Sequence, residues 1–235
     1  MAFTRRFAED VRAIAPEVSV SSPREPPRFD DAFQARLHEL FVWRRDVRRF
    51  KTDPIPDGVL EDLIREACLG PSVGLSQPWR FVIVDDPGRR AAVKANFEAA
   101  NREALENYPS ERRAQYVRLK LAGLDEAPCH FAVFVDEATE IGHGLGRRTM
   151  PEMLRYSAVA AVCQMWLAAR ARDIGMGWIS ILDPAGVRGA LDVPADWPLI
   201  GYFCLGYPQD PSAEPELVRE GWEQRLSPES LILRR

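Results

Sequence analysis

The chain has 235 residues, of which 46% are hydrophobic and 28% charged, the composition of a globular protein with one sizeable core. Its 31 lysines and arginines against 35 aspartates and glutamates give a formal net charge of -4, which argues against a general nucleic-acid binder. Any anion-binding site must therefore be local.

The positions of cysteine and histidine argue against disulfide and metal chemistry. The cysteines form no CxxC pair and lie in apolar patterns, so they are predicted to be buried, reduced thiols of a cytoplasmic protein: Cys68, Cys129, Cys163 and Cys204. The histidines have no metal-ligand spacing, and no metal is predicted. The opening residues, MAFTRRFAEDVRAIAP, lack the apolar core of a signal peptide, and no apolar run is long enough to span a bilayer.

The first elements in chain order are an arm and two helices. Residues 16–29 hold four prolines and three serines, so 1–31 is predicted to be an extended N-terminal arm and 32–235 a single domain. A helix is predicted from Asp30, because aspartates suit the positive end of the helix dipole and apolar residues then recur at helical spacing. A second helix is predicted from about Pro56 to Leu69, where a Gly-Pro pair stops it.

The rest of the chain alternates short apolar runs with helical patterns. Buried strands are predicted at Arg80–Asp86, at Cys129–Asp136, in GMGWISILDP (175–184) and in PLIGYFCLGYP (198–208). Helices are predicted up to about Leu105, from about Pro151 to Ile174, and in DPAGVRGALDVP (183–194). The charged stretch 106–124 is predicted to be an exposed helical excursion and a candidate lid, with Arg112 as its inward donor. In the polar tail, Trp222 and Leu226 are predicted anchors. Strands alternating with helices indicate an α/β or α+β fold.

The stretch VWRRDVRRF, Val42 to Phe50, places four arginines around one aspartate. Arginine's planar fork of donors suits phosphate oxygens, which indicates an anion site. A carboxylate inside such a site would repel its ligand, so Asp46 needs an explanation. The plain alternative is that Asp46 neutralises an exposed basic run at a helix end.

Two further loops are candidates for the same site: PSVGLSQPW before the first strand and GWIS at the end of the third. The loop HGLGRRT is rich in glycine, but it lacks the GxGxxG order and is not identified as a dinucleotide fingerprint. Taken in order and at these separations, RRDVR, PSVGLSQPW and GWIS resemble the nitroreductase-like flavoprotein family over about residues 32–230. The resemblance implies an α+β nitroreductase-like fold, a homodimer with a central mixed sheet of four to five strands flanked by helices, in which the long helix supplies the dimer core.

The resemblance also implies which residues contact FMN at the dimer interface. The arginines are assigned to the phosphate and ribityl chain, the loop from Pro71 to the isoalloxazine ring, and an asparagine to its pyrimidine edge. The assigned residues are Arg44, Arg45, Asp46, Val47, Arg48, Ser72, Gly74, Asn101, Ser180 and Arg225. Arg49 is left with a surface role, and the Gly74 N–H is a candidate to face dioxygen beside the ring.

Asp46 is a departure from ordinary nitroreductases, which commonly have serine there. Together with Ser180 it resembles a branch of the family in which reduced FMN is a substrate, fragmented with dioxygen to 5,6-dimethylbenzimidazole and erythrose 4-phosphate. That reaction requires proton removal near the ribityl carbon attached to N10, a task for a carboxylate base. Nearby arginines would keep such a carboxylate ionised. The resemblance therefore implies Asp46 as the base and Ser180 as a group that orients the flavin.

Two other functions fit the same flavin loops. One is an NAD(P)H-dependent nitroreductase or quinone reductase with FMN as a bound cofactor, and the other is a flavin carrier without activity. In the leading interpretation FMNH2 and O2 are the substrates, and NAD(P)H acts only indirectly, through a separate flavin reductase. The pairing of Asp46 with Ser180 separates these functions.

Overall fold

The computed structural model describes residues 26–235. It separates into a first unit that ends at Leu37 and a second unit, His38–Arg235. The predicted arm lies outside the described residues except for its last six positions, and 26–30 have no regular secondary structure. Helix α1, Asp31–Trp43, begins as predicted, because the Asp30 carboxylate accepts a hydrogen bond from the Phe33 N–H at 2.8 Å.

The sheet of the second unit has four strands in the order β1-β2-β4-β3. They are β1 (Trp79–Ile83), β2 (Cys129–Val135), β3 (Gly175–Ile179) and β4 (Leu199–Gly206). All three strand pairs are antiparallel. The α+β class and a sheet of four strands are confirmed, but the predicted mixed sheet is wrong, because the strand pairs are antiparallel. A parallel bridge between Asp46 and Met176 joins the arginine motif to β3 and is not a strand pair.

The remaining helices are α2 (Val59–Ala67), α3 (Pro87–Glu106), α4 (Ser110–Tyr116), α5 (Met153–Arg170), α6 (Pro184–Leu191) and α7 (Glu216–Arg219), with single 3-10 turns at Val73–Leu75 and Pro228–Leu231. Two of them start at an Asp-Pro pair. Asp86 accepts from the Arg89 N–H, and Asp183 accepts from the N–H groups of Ala185 and Gly186. The aspartate satisfies free helix donors, and the proline loses no bond at the first helical position.

Both faces of the sheet are covered. Helices α2 and α5 enclose one core with Phe131 and Phe203, and α3 and α6 enclose the other with Phe134 and Tyr202. Strand β2 therefore reads as a continuous apolar run, CHFAVFV, instead of an alternating one. Helix α5 is buried on its sheet side, but Tyr156 on the opposite side is 54% exposed.

Two sequence expectations about burial are wrong in part. All four cysteines are free, but only Cys204 is buried, Cys129 is half-buried, and Cys68 and Cys163 are exposed. Leu226 is 70% exposed and anchors nothing. An isolated apolar residue in a helical or polar stretch is weak evidence of burial, since much of any protein surface is apolar. No helix among residues 26–235 is long and apolar enough to cross a membrane.

His130 is a buried imidazole in β2. Its Nε2 lies 3.2 Å from the Ala127 carbonyl and its Nδ1 lies 3.0 Å from the Tyr202 hydroxyl. A carbonyl only accepts, so Nε2 carries the proton and Nδ1 accepts from tyrosine. Burial, with repulsion from Arg90, lowers the pKa of His130 from 6.5 to about 4.

Acid should therefore destabilise the protein through His130. The unfolded chain takes up this proton below pH 6.5 and the folded chain only near pH 4, so the stability present above pH 6.5 is lost as the pH falls between these values. The total loss is about 3 kcal/mol at about 1.4 kcal/mol per pKa unit. Urea unfolding at pH 7 and pH 4.5 should show a clearly smaller difference for His130→Gln than for the wild type. The same change at exposed His38 should leave the difference intact, and equal pH dependence in both variants would contradict the assignment.

Candidate active site

The motif Arg44–Arg48 leaves the end of α1 and runs beside strand β3. The Val47 N–H donates to the Met176 carbonyl at 3.0 Å. This close approach requires glycine at two positions of β3. A Cβ on Gly175 would lie 2.7 Å from Val47 Cγ2, and a Cβ on Gly177 would overlap the Val47 carbonyl oxygen. The sequence GMG therefore lets the motif lie flat against the strand.

The Asp46 carboxylate is held at both oxygens. Its Oδ1 accepts from the Trp178 N–H at 2.9 Å, and its Oδ2 pairs with Arg48 Nε at 2.9 Å. Each carboxylate oxygen has a second lone pair, so both can accept again. The side chain remains 30% exposed. Asp46 is thus oriented by the strand and the motif and is still accessible, which is more than neutralising an exposed basic run requires.

Arg48 and Arg45 have protein partners. Besides Asp46, Arg48 donates through Nη1 to the Lys120 carbonyl at 3.2 Å. Arg45 donates through Nε to the Ala213 carbonyl at 2.9 Å, and its guanidinium also bonds the carbonyls of Val42 and Arg44. These two side chains are therefore held in place before any anion binds.

Arg225 comes close to the motif although it is far along the chain. Burial lowers the pKa of Arg45, and repulsion from Arg44 and then from Arg225 lowers it further. Arg44 lies over the Trp166 ring, 5.0 Å from its centroid. The charges of Arg44 and Arg225 thus act on Arg45, and a bound anion would offset this repulsion. Arg49 pairs with Glu216 at 3.3 Å near the surface, the role expected for it.

The loop that contains Ser72 and Gly74 packs against the glycine-rich loop HGLGRRT. Gly74 has φ +57°, and a Cβ there would lie 3.0 Å from the carbonyl oxygens of both Gly142 and Leu145. Ser72 Oγ accepts from the Gln77 N–H at 3.1 Å, and the Val73 N–H donates to Ser157 Oγ at 3.0 Å. Sequence reasoning missed this contact between the loops. The regularly spaced glycines Gly142, Gly144 and Gly146 could have indicated a tightly packed loop, but they were compared only with the dinucleotide-binding pattern.

Asn101 and Ser180 lie outside the cleft beside Asp46. Asn101 Oδ1 accepts from the Tyr116 hydroxyl at 2.6 Å and borders a cavity of about 200 Å³ between α3 and residues 119–125. Ser180 directly follows β3 and is exposed, two residues beyond Trp178 and so about 7 Å further along the strand.

A cleft of about 110 Å³ opens beside the motif. Arg45, Asp46, Val47 and Arg48 line it together with residues of the later segment, Pro208, Asp210, Pro211, Ser212, Glu214, Glu216, Arg219 and Glu220. The other assigned residues, Arg44, Ser72, Gly74, Asn101, Ser180 and Arg225, are not part of its lining. One chain therefore does not gather the whole assigned set into one cleft. Among residues 26–235, no group of histidine, cysteine, aspartate and glutamate side chains could hold a metal ion.

The four antiparallel strands, the helices on both faces of the sheet and the arginine motif against edge strand β3 define an α+β protein with a candidate anion site. The family model described as "Nitroreductase family" matches residues 41–207, and the chain belongs to this family.

Its curated relatives include two enzymes named 5,6-dimethylbenzimidazole synthase. That of Rhodospirillum rubrum is 53% identical over 202 residues, which cover 86% of this chain and 96% of the relative. That of Rhodobacter capsulatus is 42% identical over 201 residues, which cover 86% of this chain and 97% of the relative. Among solved structures, oxidised iodotyrosine deiodinase bound to FMN and 3-iodo-L-tyrosine is similar with a TM-score of 0.62 and 28% identity, over 75% of this chain and 91% of that one.

Proposed function

We propose that the protein is a 5,6-dimethylbenzimidazole synthase, which fragments reduced FMN with dioxygen to 5,6-dimethylbenzimidazole and erythrose 4-phosphate. The observation that carries the proposal is the Asp46 carboxylate, fixed by Trp178 and Arg48 inside an arginine motif and still accessible. An enzyme that only shuttles electrons through FMN has no use for a carboxylate beside the phosphate ligands. The two synthase relatives, 53% and 42% identical, support the same activity.

The residues present fit a flavin phosphate. Arg44, Arg45 and Arg225 concentrate positive charge that lowers the pKa of Arg45, and a phosphate dianion would compensate it. A Cβ on Gly74 would meet the carbonyl oxygens of Gly142 and Leu145, so glycine at this position lets the two loops pack closely together. Reduced FMN, when bound, supplies both the electrons that reduce dioxygen and the carbon skeleton of the product.

The chain's own residues then have separate tasks. The arginines bind the phosphate and hold the ribityl chain in place. Asp46 removes a proton from the ribityl carbon attached to N10, and its two anchored oxygens hold it in one orientation. Ser180, exposed at the end of β3, donates a hydrogen bond that orients the flavin. Asn101 bonds the pyrimidine edge of the ring, and the Gly74 N–H faces dioxygen.

We further propose that the working form is a homodimer. The assigned residues do not share one cleft within a single chain, and a second copy would complete the site. The exposed side of α5 presents Tyr156 and Cys163, a surface suited to pairing with its own copy. The free thiols fit the reducing cytoplasm, where a separate flavin reductase using NADH or NADPH would supply FMNH2.

The proposed function is tested directly with photoreduced FMN and air. The expected result is 5,6-dimethylbenzimidazole, detected by mass spectrometry, in amounts that match the FMN consumed. An assay with NADH, FMN and a nitroaromatic compound tests the nitroreductase alternative in parallel. Turnover in the second assay without product in the first would reject the synthase, and turnover in neither would leave a flavin carrier.

A further inference from the structure

Residues 106–124, here called the cover, contact the C-terminal segment 220–225. Helix α4 lies within the cover. The Trp222 ring packs edge-on against two of its tyrosines, with centroids 5.5 Å from Tyr108 and 6.2 Å from Tyr116. The two tyrosines contact each other at 4.8 Å. Such aromatic contacts stabilise an interface beyond the area they bury.

Polar contacts reinforce the aromatic cluster. Arg112 Nη1 donates to the Trp222 carbonyl at 3.1 Å, and the guanidinium lies 5.3 Å from the centre of the indole ring. Gln115 Nε2 donates to the Glu220 carbonyl at 3.2 Å. Arg112, predicted to point into the site, is instead turned towards the C-terminal segment. The cover is therefore docked on this segment by two kinds of contact.

Both attachments of the cover lead to arginines assigned to phosphate. Trp222 stands three residues before Arg225, which is near enough to Arg45 to repel it. At the other end of the cover, Arg48 donates to the Lys120 carbonyl, and Gly123 lies so close to the Phe50 ring that a Cβ would overlap it. A phosphate bound by Arg225 and Arg48 would thus bridge residues that are joined to both ends of the cover.

We propose that Trp222 is a positioning residue that locks the cover to the segment bearing Arg225, so that binding of the flavin phosphate and closure of the cover over the flavin are one event. This inference rests on the proposed function. It makes the phosphate a specificity determinant for conversion as well as for binding. Reduced riboflavin, which lacks the phosphate, would bind under an open cover. Its electrons would then pass to dioxygen unproductively, two electrons and two protons giving oxidised flavin and hydrogen peroxide.

The first test uses hydrogen exchange of peptides from 106–124, with oxidised FMN or riboflavin at equal, fluorescence-verified occupancy. FMN should slow exchange in the cover at least about tenfold in the wild type, because exchange follows local opening. Riboflavin should not slow it, and peptides from β2 should not change with either flavin. Equal protection by the two flavins would overturn the coupling.

The second test compares Trp222→Ala with Trp222→Phe and with Trp197→Ala. Trp197 is the control, since an arginine also lies over its ring, at 5.7 Å, but this arginine, Arg80 of β1, belongs neither to the cover nor to segment 220–225. Trp222→Ala should lose the FMN-dependent protection of the cover, and its affinity for FMN should fall by up to about the same tenfold factor, because coupled binding and closure share one free energy. Its yield of 5,6-dimethylbenzimidazole per FMNH2 consumed should fall at least about tenfold, and the balance should appear as FMN and hydrogen peroxide. Trp222→Phe and Trp197→Ala should behave as the wild type.

A wild-type yield and wild-type protection in Trp222→Ala would overturn the proposal. If that variant does not fold, Arg112→Ala replaces it, since Arg112 is exposed and its loss removes the hydrogen bond to the Trp222 carbonyl. The FMN-dependent protection of the cover should then fall severalfold. Unchanged protection in Arg112→Ala would overturn the proposal. The exchange experiment needs no turnover. Failure of the wild type to make product would therefore reject the proposed function and leave the coupling separately tested.

Discussion

Asp46→Asn should lower the rate of 5,6-dimethylbenzimidazole formation about 1,000-fold, within the range that a positioned general base contributes. The amide oxygen of asparagine can still accept from the Trp178 N–H, so the local backbone is kept. It cannot take up a proton, and its charge no longer opposes the phosphate. The affinity for FMN should therefore stay equal or become slightly tighter. Single turnovers with photoreduced FMN give the rate, and fluorescence quenching gives the affinity.

The matched control is Asp210→Asn, which removes another carboxylate from the same cleft. It should retain the wild-type rate, because Asp210 is not assigned to the reaction. Asp46→Ser restores the residue common in ordinary nitroreductases and should be as inactive as Asp46→Asn. Full synthase activity in Asp46→Ser would show that the carboxylate is not the base.

Local signals made most of the elements predictable. The apolar run at Cys129–Val135 needs burial on both faces whatever its partners are. Asp-Pro pairs mark the starts of α3 and α6, since capping depends on neighbours within three residues. The direction of strand pairing was harder to predict from the sequence. It depends on how distant segments return to the sheet, and the expected mixed sheet is wrong because all three strand pairs are antiparallel.

The candidate site was predictable where its chemistry is contained in a motif. Four arginines around an aspartate indicate an anion site and a separate task for the carboxylate. In the structure this carboxylate accepts a hydrogen bond from the Trp178 N–H of β3. The protein partners of the arginines were not predictable. Arg45 donates to Ala213, 168 residues away, and Arg48 donates to Lys120, 72 residues away. No local pattern encodes such contacts, because the partners are backbone carbonyls that any residue could supply.

Gly177→Ala should be among the most damaging single changes outside the reacting groups. The added Cβ would overlap the Val47 carbonyl oxygen, and the motif has little freedom to move away. It is tied to β3 by the Val47 N–H to Met176 and by the Asp46 carboxylate to Trp178, so relief of the overlap breaks one of these bonds. The free energy of unfolding should fall by about 3 kcal/mol, from overpacking together with a lost hydrogen bond.

Urea unfolding measures that loss, and single turnovers at a temperature where the variant is folded measure the rate. The rate should fall about 100-fold, because a shift of about 1 Å in a reacting group is enough for such a loss. Gly189→Ala is the matched control: a Cβ there meets nothing within 4 Å, and alanine inside α6 should stabilise the protein by about 0.5–1 kcal/mol. If Gly177→Ala stayed folded with an unchanged rate, the close contact of β3 with the motif would not be what positions Asp46. A lower rate in the folded variant would instead show that the absence of a side chain at Gly177 is what allows Asp46 to be placed correctly.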